Sequence, residues 1–138
     1  MALESAQAFA AYMESKDMRV RFLDEEETAA EVGFQLKDTS LEVRVFFGED
    51  NKDVYFIGGN FVQIPADKQE KVYRICNTCN NDYRWVKFIW DEEQEYMVVR
   101  ADAVIDLDTC AEECFEIVMR MAGIVDDVYP KIMKELWA

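Results

Sequence analysis

The apolar residues in the first half of the chain change from a helical to an alternating spacing. Near the N-terminus they recur at intervals of three and four, which predicts an amphipathic helix over about residues 3–15. Three stretches that alternate between apolar and polar residues follow, at residues 18–22, 32–36 and 41–47. Each of these stretches predicts a half-buried strand.

A fourth strand is predicted over about residues 54–63, and the pair Gly58-Gly59 within it indicates a bulge or a close approach of the backbone. Pro65 then begins a helix, because a missing N–H costs nothing at the first helical position. This helix extends to about residue 81 and ends in the polar run Asn80-Asn81-Asp82.

The run from Asp82 to Asp91 predicts a tight exit from that helix into a strand over residues 84–90. This strand has apolar side chains on both of its faces, so it offers apolar area on both sides of the sheet. An acidic turn follows, and a last strand is predicted over residues 96–104.

A long helix is predicted over about residues 108–137. Thr109 and Glu112 have the spacing of a capping box at its start, and Pro130 is expected to kink or break it. The element order α-β-β-β-β-α-β-β-α predicts an α+β fold, with five to six mostly antiparallel strands and the helices packed on one face. Residues 1–138 are expected to form one domain.

The composition is strongly acidic, with 29 Asp and Glu against 15 Lys and Arg, a net charge of -14. Nucleic acids and anionic membranes both require a basic surface, and the sequence contains no cluster of Lys and Arg. We therefore expect neither a nucleic-acid nor a membrane partner. The N-terminus has no basic residue before its apolar positions, so no signal peptide is expected and the predicted location is the cytoplasm.

The chain contains no histidine, which removes the commonest general base and the commonest metal ligand. A Ser-His-Asp arrangement is therefore impossible within one chain. Acidic residues are so abundant that paired carboxylates carry no information about acid–base catalysis. We expect no enzymatic activity, no catalytic residue and no cofactor.

Four cysteines form the pattern C-x2-C…C-x3-C, namely Cys76, Cys79, Cys110 and Cys114. Four thiolates could hold zinc, and the first pair could act as a redox couple. All four, however, fall on the apolar stripes of predicted helices, and the first pair lies near a helix C-terminus, where the dipole disfavours thiolate. We expect buried, reduced, metal-free thiols, with the zinc or thiol role as the alternative hypothesis.

Clusters of acidic residues mark the turns, over residues 24–27, 49–53, 91–95 and 102–108. Calcium or a basic peptide could bind such clusters, but none has the ligand spacing and central glycine of an EF-hand loop. We interpret them as solvated turns.

The strands also carry aromatic residues that alternation does not assign to the apolar rows. In the strand over residues 41–47 the apolar row includes Val45 and Phe47, so Phe46 is expected to point to the other face. Helices cover only one face of a single sheet, and a contiguous aromatic set on the other face is typical of a contact surface. The candidate protein-binding residues are Phe46, Tyr55, Phe88 and Trp90. The alternative is that these bulky side chains fill gaps at the sheet edge or under Trp137.

Four segments connect the chain with a known family. They are Phe34-x-Leu36 followed by Leu41-x-Val43-x-Val45-Phe46, the helix start Ile64-Pro65, Asn77-x-x-Asn80-x-x-Tyr83-Arg84-Trp85-x-Lys87-Phe88, and Tyr129-Pro130-x-Ile132-Met133-x-x-Leu136-Trp137. In these the chain resembles the YbjN-like family, labelled as bacterial sensory transduction regulators, and the wider fold of type III secretion chaperones. The resemblance covers nearly the whole chain and implies a single domain with a regulatory role. It implies no catalytic residues.

The leading hypothesis is a non-enzymatic, protein-binding or chaperone-like regulatory module that acts through a protein surface as a homodimer. Its protein partner is not identified by the sequence. The alternative is a zinc- or thiol-dependent protein that uses the four cysteines, and a hydrolase ranks below both because no pair of nucleophile and base is visible.

Overall fold

The computed structural model describes residues 3–138, which contain six strands, one short 3-10 turn at Ala66–Lys68 and three α-helices. The predicted order of helices and strands is confirmed. In chain order the elements are α1 (Glu4–Ser15), β1 (Arg21–Phe22), β2 (Ala29–Gln35), β3 (Ser40–Phe47), β4 (Asp53–Gly59), α2 (Gln69–Asp82), β5 (Lys87–Asp91), β6 (Tyr96–Val104) and α3 (Cys110–Trp137).

The strands form a single antiparallel sheet in the order β1-β2-β3-β4-β6-β5. The first four strands are sequential neighbours, whereas β6 inserts between β4 and β5. One face of the sheet is apolar and buried beneath the helices, as shown by Val43, Val45, Phe56 and Val99, all fully buried. The α+β fold class is confirmed.

The core lies between this face and the helices α1 and α3. Phe9 and Met13 of α1 and Met121 of α3 are fully buried in it. Gly58 permits the close approach that the sequence predicts, because a Cβ at this position would lie 2.7 Å from Val99 Cγ2. It would also lie 3.4 Å from Met121 Cε, so α3 packs directly over β4 here.

Helix α2 packs against β5, the edge strand of the sheet. The side chain of Asn80 forms two hydrogen bonds with the backbone of Phe88. Its Oδ1 accepts from the Phe88 N–H at 2.6 Å, and its Nδ2 donates to the Phe88 carbonyl at 3.2 Å. Asn80 therefore forms the hydrogen bonds that a neighbouring strand would form at this point, so the backbone N–H and carbonyl of Phe88 at the sheet edge both have partners.

Several element boundaries differ from the prediction because residues with positive φ interrupt the extended backbone. Asn60 has φ 60°, and β4 ends one residue before it, although Gln63 still makes one bridge to Tyr96. Trp85 has φ 81°, and β5 accordingly begins at Lys87 rather than at residue 84. The strand predicted at residues 18–22 is reduced to the two residues of β1.

Two details of α3 differ from the expectation. The helix runs without a break through Pro130, because Val128 and Ile132 on either side of it are both buried in the core and their packing offsets the lost hydrogen bond, and a kink at Pro130 stays a prediction. The capping box does not form, since the Thr109 hydroxyl donates to the carboxylate of Glu113 instead, at 2.9 Å. Among residues 3–138, no helix is long and apolar enough to cross a membrane.

Candidate functional site

The face of the sheet opposite the helices, here called the open face, carries a stacked aromatic pair. Phe46 of β3 and Tyr55 of β4 are directly opposite in the register, and their rings stack with centroids 4.7 Å apart and planes 16° apart. Tyr55 is 39% exposed, and the guanidinium carbon of Arg100 lies 5.7 Å from its ring centroid. The predicted orientation of Phe46 and Tyr55 is confirmed, and their role in a contact stays a prediction.

Next to this pair, a row of charged side chains crosses the open face and is internally paired. Glu31 accepts hydrogen bonds from Arg21 at 2.5 Å and from Arg44 at 3.1 Å. These bonds, the one from Arg21 first, hold the pKa of Glu31 below its usual value although partial burial opposes them. Asn60 donates to Glu42 at 2.5 Å on the same face. The acids of this part of the surface therefore already have partners.

The placement of Phe88 and Trp90 on a contact face is wrong. They are 1% and 7% exposed and lie on the helix-covered face, where Phe88 is opposite Val99 in the register. The indole N–H of Trp90 donates to the carbonyl of Ile64 at 3.3 Å. Since β5 is apolar on both faces, its pairing with β6 and the packing of α2 against it determine which of its side chains are buried. Ile89, between them, points to the open face.

The four cysteines are free and buried, Cys76 and Cys79 on α2 and Cys110 and Cys114 on α3. Burial raises the pKa of Cys76 and of Cys79 to about 11 and that of Cys114 to about 12, and it also raises the pKa of Cys110. Such thiols are protonated at neutral pH and are poor nucleophiles.

The same cysteines do not form a metal centre. Within residues 3–138 no three or more His, Cys, Asp or Glu side chains group in a way that could hold a metal ion. The fold thus does not bring the C-x2-C pair and the C-x3-C pair into one cluster, and the zinc alternative has no support in the arrangement of the side chains.

Acidic residues in the turns bind the backbone of their own turns. Asp24 Oδ1 accepts from the N–H groups of Thr28 and Ala29 at 2.9 and 3.0 Å, and Asp91 Oδ1 accepts from Glu93 and Gln94. The hydrogen bond from the Thr28 hydroxyl is the main reason that the pKa of Asp24 is lowered. These contacts favour the interpretation of the acidic clusters as turns rather than as ion or peptide sites.

A groove of about 580 Å³ lies between α2 and the C-terminal half of α3. Its apolar floor contains Ile75 and Cys79 from α2 and Val128 and Ile132 from α3. Four basic residues and a few polar or acidic residues line its rim. They are Lys71, Arg74, Lys131 and Lys134, with Thr78, Asp82, Tyr83 and Glu135.

One wall of the groove is fixed by a small network of polar groups. Tyr83 donates its hydroxyl proton to Asp127, and Lys131 donates to Tyr83 at 3.1 Å and to Asp127 at 3.4 Å. The Tyr83 hydroxyl is the largest cause of the lowered pKa of Asp127, and it also raises the pKa of Lys131. The network therefore stabilises the charged forms of both Lys131 and Asp127.

Beyond Asp82 and Tyr83 the groove adjoins a shallower cavity that contains an exposed tryptophan. Trp85 is 57% exposed, and the guanidinium carbons of Arg84 and Arg120 lie 5.7 and 5.0 Å from its ring centroid. Its φ of 81° is rare for a bulky residue and costs backbone energy. Such strain is more often found at functional positions than elsewhere.

The basic rim was missed in the sequence because its residues are distant in the chain. Lys71 and Arg74 come from α2, whereas Lys131 and Lys134 come from the end of α3. The number of charged residues in one segment indicates the basic rim. Residues 65–87 contain five basic and three acidic residues, although the whole chain is strongly acidic. The fold thus brings together four basic residues that form no cluster along the sequence.

Comparisons with known proteins identify one family and a shared fold. The sequence matches the family described as "YbjN: Putative bacterial sensory transduction regulator" over residues 5–133. The fold is similar to the crystal structure of YbjN from E. coli, with a TM-score of 0.62 and 9% identity over 88% of both chains. It is also similar to a chain in the crystal structure of the ExsC-ExsE complex, with a TM-score of 0.57 and 18% identity over 93% of this chain and 96% of that chain. No curated protein matches the sequence.

Proposed function

The chain belongs to the YbjN family, and we propose that it is a non-enzymatic, protein-binding regulatory module that forms a homodimer through the open face of its sheet. It acts in the bacterial cytoplasm in a chaperone-like manner, by contact rather than by chemistry. A fold of this kind takes part in at least one protein complex, that of ExsC and ExsE, which supports a role in protein binding.

The observation that carries the proposal is the stacked pair of half-buried Phe46 and exposed Tyr55 on a sheet face that no helix covers. Apolar side chains extend from this pair across the face, namely Ile57, Val98 and Ile89 on neighbouring strands. Full burial of one large apolar side chain stabilises by about 1.5–3 kcal/mol relative to exposure. A second copy would recover this energy for both chains at once.

The charges of the open face favour a second copy as the occupant. Two chains of net charge -14 repel each other, and the repulsion is smallest where the charge is balanced. The open face carries four basic and five acidic residues, so it is nearly neutral. They are Arg21, Arg44, Lys87 and Arg100 with Glu31, Glu42, Asp53, Asp91 and Asp102.

Sedimentation velocity over a concentration series at moderate salt tests the homodimer. For the unmodified chain we expect a mass that rises with concentration towards twice 16.1 kDa. The double variant Phe46→Ser/Tyr55→Ser should raise the dissociation constant by at least about tenfold, because central aromatic residues dominate most interfaces.

The matched control is Trp85→Ser/Trp137→Ser, which removes two aromatic side chains that are each 57% exposed but lie away from the sheet face. It should dimerise like the unmodified chain. A chain that stays monomeric at every concentration, or a control that weakens association as much as the double variant, would contradict the proposal.

A further inference from the structure

The groove between α2 and α3 combines an apolar floor with a basic rim, and we propose that it binds an acidic, amphipathic segment of a partner protein. This surface is separate from the open face, so the inference does not depend on the homodimer. The groove has unpaired cations on its rim and aromatic groups at both ends, and the charge of the chain is unevenly distributed around it.

Three of the four rim cations have no counter-charge of their own. Among residues 3–138, Lys71, Arg74 and Lys134 make no ion pair within 4.0 Å and no side-chain hydrogen bond. Only Lys131 is paired, with Asp127. Carboxylates of a ligand would form charge-assisted hydrogen bonds with these free donors.

Cations held against aromatic rings continue the rim at both ends of the groove. At one end Arg84 and Arg120 lie near the ring of Trp85, and at the other the Nζ of Lys68 lies 4.5 Å from the ring centroid of Trp137. Seventeen helical steps of α3 separate Arg120 from Trp137, which corresponds to about 25 Å. A protein segment fits this length better than a small molecule does.

The distribution of charge directs an acidic partner to this groove. Residues 65–87, which include α2, carry five basic and three acidic side chains, whereas residues 88–115 carry one basic and nine acidic. The floor side chains Ile75, Val128 and Ile132 are 7%, 2% and 1% exposed, so they offer a narrow apolar strip that apolar side chains of the partner can contact. A single-stranded nucleic acid would satisfy the cations without this contact, so the two occupants can be distinguished by experiment.

The probe is a labelled 18-residue peptide with Glu and Leu at helical spacing, whose length as a helix is about 27 Å. Fluorescence anisotropy with the full chain should show saturable binding. Replacement of Glu by Gln, or of Leu by Ser, should each weaken binding by about tenfold or more, because the rim and the floor both contribute. A thymidine oligonucleotide of similar charge should bind more weakly than the Glu/Leu peptide.

Two variants of the protein locate the site. Lys71→Glu/Lys134→Glu should weaken peptide binding by about tenfold or more. The matched control is Lys37→Glu/Lys52→Glu, which makes the same change in net charge on exposed residues elsewhere. The control should change peptide binding less than about threefold. Thr78→Trp fills the groove from an exposed helix position without a change of charge and should also abolish binding.

The inference is overturned if the Glu/Leu peptide does not bind, if both lysine pairs weaken it equally, or if the Leu-to-Ser peptide or the oligonucleotide binds as well as the probe. Sedimentation of Lys71→Glu/Lys134→Glu separates this result from the homodimer. A variant that still dimerises but no longer binds peptide supports two independent surfaces.

Discussion

The open face of the sheet and the groove between α2 and α3 are both uncovered, but they differ in how far their charged side chains are paired. On the open face, Glu31 is held by Arg21 and Arg44, and Arg100 lies near the ring of Tyr55. In the groove, Lys71 and Lys134 have no such partner among the described residues. The open face thus offers apolar area with charges that are nearly balanced and partly paired, whereas the groove offers a narrow apolar floor with free cations.

This difference explains why we assign different occupants to the two surfaces. A surface whose charges are nearly balanced gains little from a charged partner and mainly gains from burial of apolar groups, which suits a second identical chain. A surface with free cations gains most from anionic groups. The comparison yields four predictions, given from the largest expected effect to the smallest.

The largest expected effect is the difference in stability between substitutions on the two faces of the sheet. Trp90→Ala should reduce the free energy of unfolding by about 3–5 kcal/mol, since the indole is buried and hydrogen-bonded to Ile64. Tyr55→Ala on the open face should cost about 1 kcal/mol or less in the monomer. Urea unfolding at low protein concentration measures both, and equal losses would mean that the faces are assigned wrongly.

The attachment of α2 to the edge strand β5 depends on Asn80. Asn80→Ala removes both hydrogen bonds to Phe88 and should cost about 1–3 kcal/mol, because the backbone of an edge strand loses its partners. Asn81→Ala, one residue along the same helix and exposed, is the matched control and should be nearly neutral. If the two variants unfold at the same urea concentration, Asn80 does not hold β5.

Buried thiols predict a loss of stability at alkaline pH. The folded-state pKa of Cys114 is raised to about 12, so its contribution is complete below the unfolded-state pKa near 9 and is lost as pH rises towards 12. In this window the free energy of unfolding should fall by about 1.4 kcal/mol per pH unit for this thiol. Cys114→Ala should have a correspondingly shallower slope in urea unfolding between pH 9 and 11, and an unchanged slope would contradict a buried thiol.

The smallest expected effect is the difference in stability between removing a paired charge on the open face and removing an unpaired charge in the groove. Glu31→Gln should destabilise by about 1 kcal/mol or less, because exposed arginines make its ion pairs weak. The pKa of Glu31 is lowered, so this contribution is present at neutral pH and is lost as pH falls through its folded-state value. Lys71→Gln should leave the free energy of unfolding within about 0.5 kcal/mol. Thermal unfolding at pH 7 and in acid measures the stability of both variants. If the groove lysine were the paired one, Lys71→Gln would lower the stability at pH 7 more than Glu31→Gln does.

Local patterns were sufficient for most of the fold. The intervals of three and four residues predicted α1 and α3, and strict alternation predicted β3 with the correct buried row. Alternation failed for β5, because Phe88 and Trp90 on one side and Ile89 on the other are all apolar. Only the pairing with β6 and the packing of α2, which are contacts between elements, select the buried side.

The candidate site was predictable only in part, for the same reason. The orientation of Phe46 followed from its neighbours in one strand, but its contact with Tyr55 depends on the register of β3 with β4. The groove could not be predicted, since Lys71 and Lys134 lie on separate helices and meet only in the folded chain. Interactions within one element were visible in the sequence, whereas those between elements were not.

The central claim, that the chain associates with itself through the open face, is most directly tested by methyl NMR over a concentration series. Ile57, Ile89 and Val98 on the open face should shift with concentration, whereas Val43 in the core should not. Resonances that stay constant at every concentration, or shifts confined to Ile75 and Ile132 at the floor of the groove, would contradict the claim.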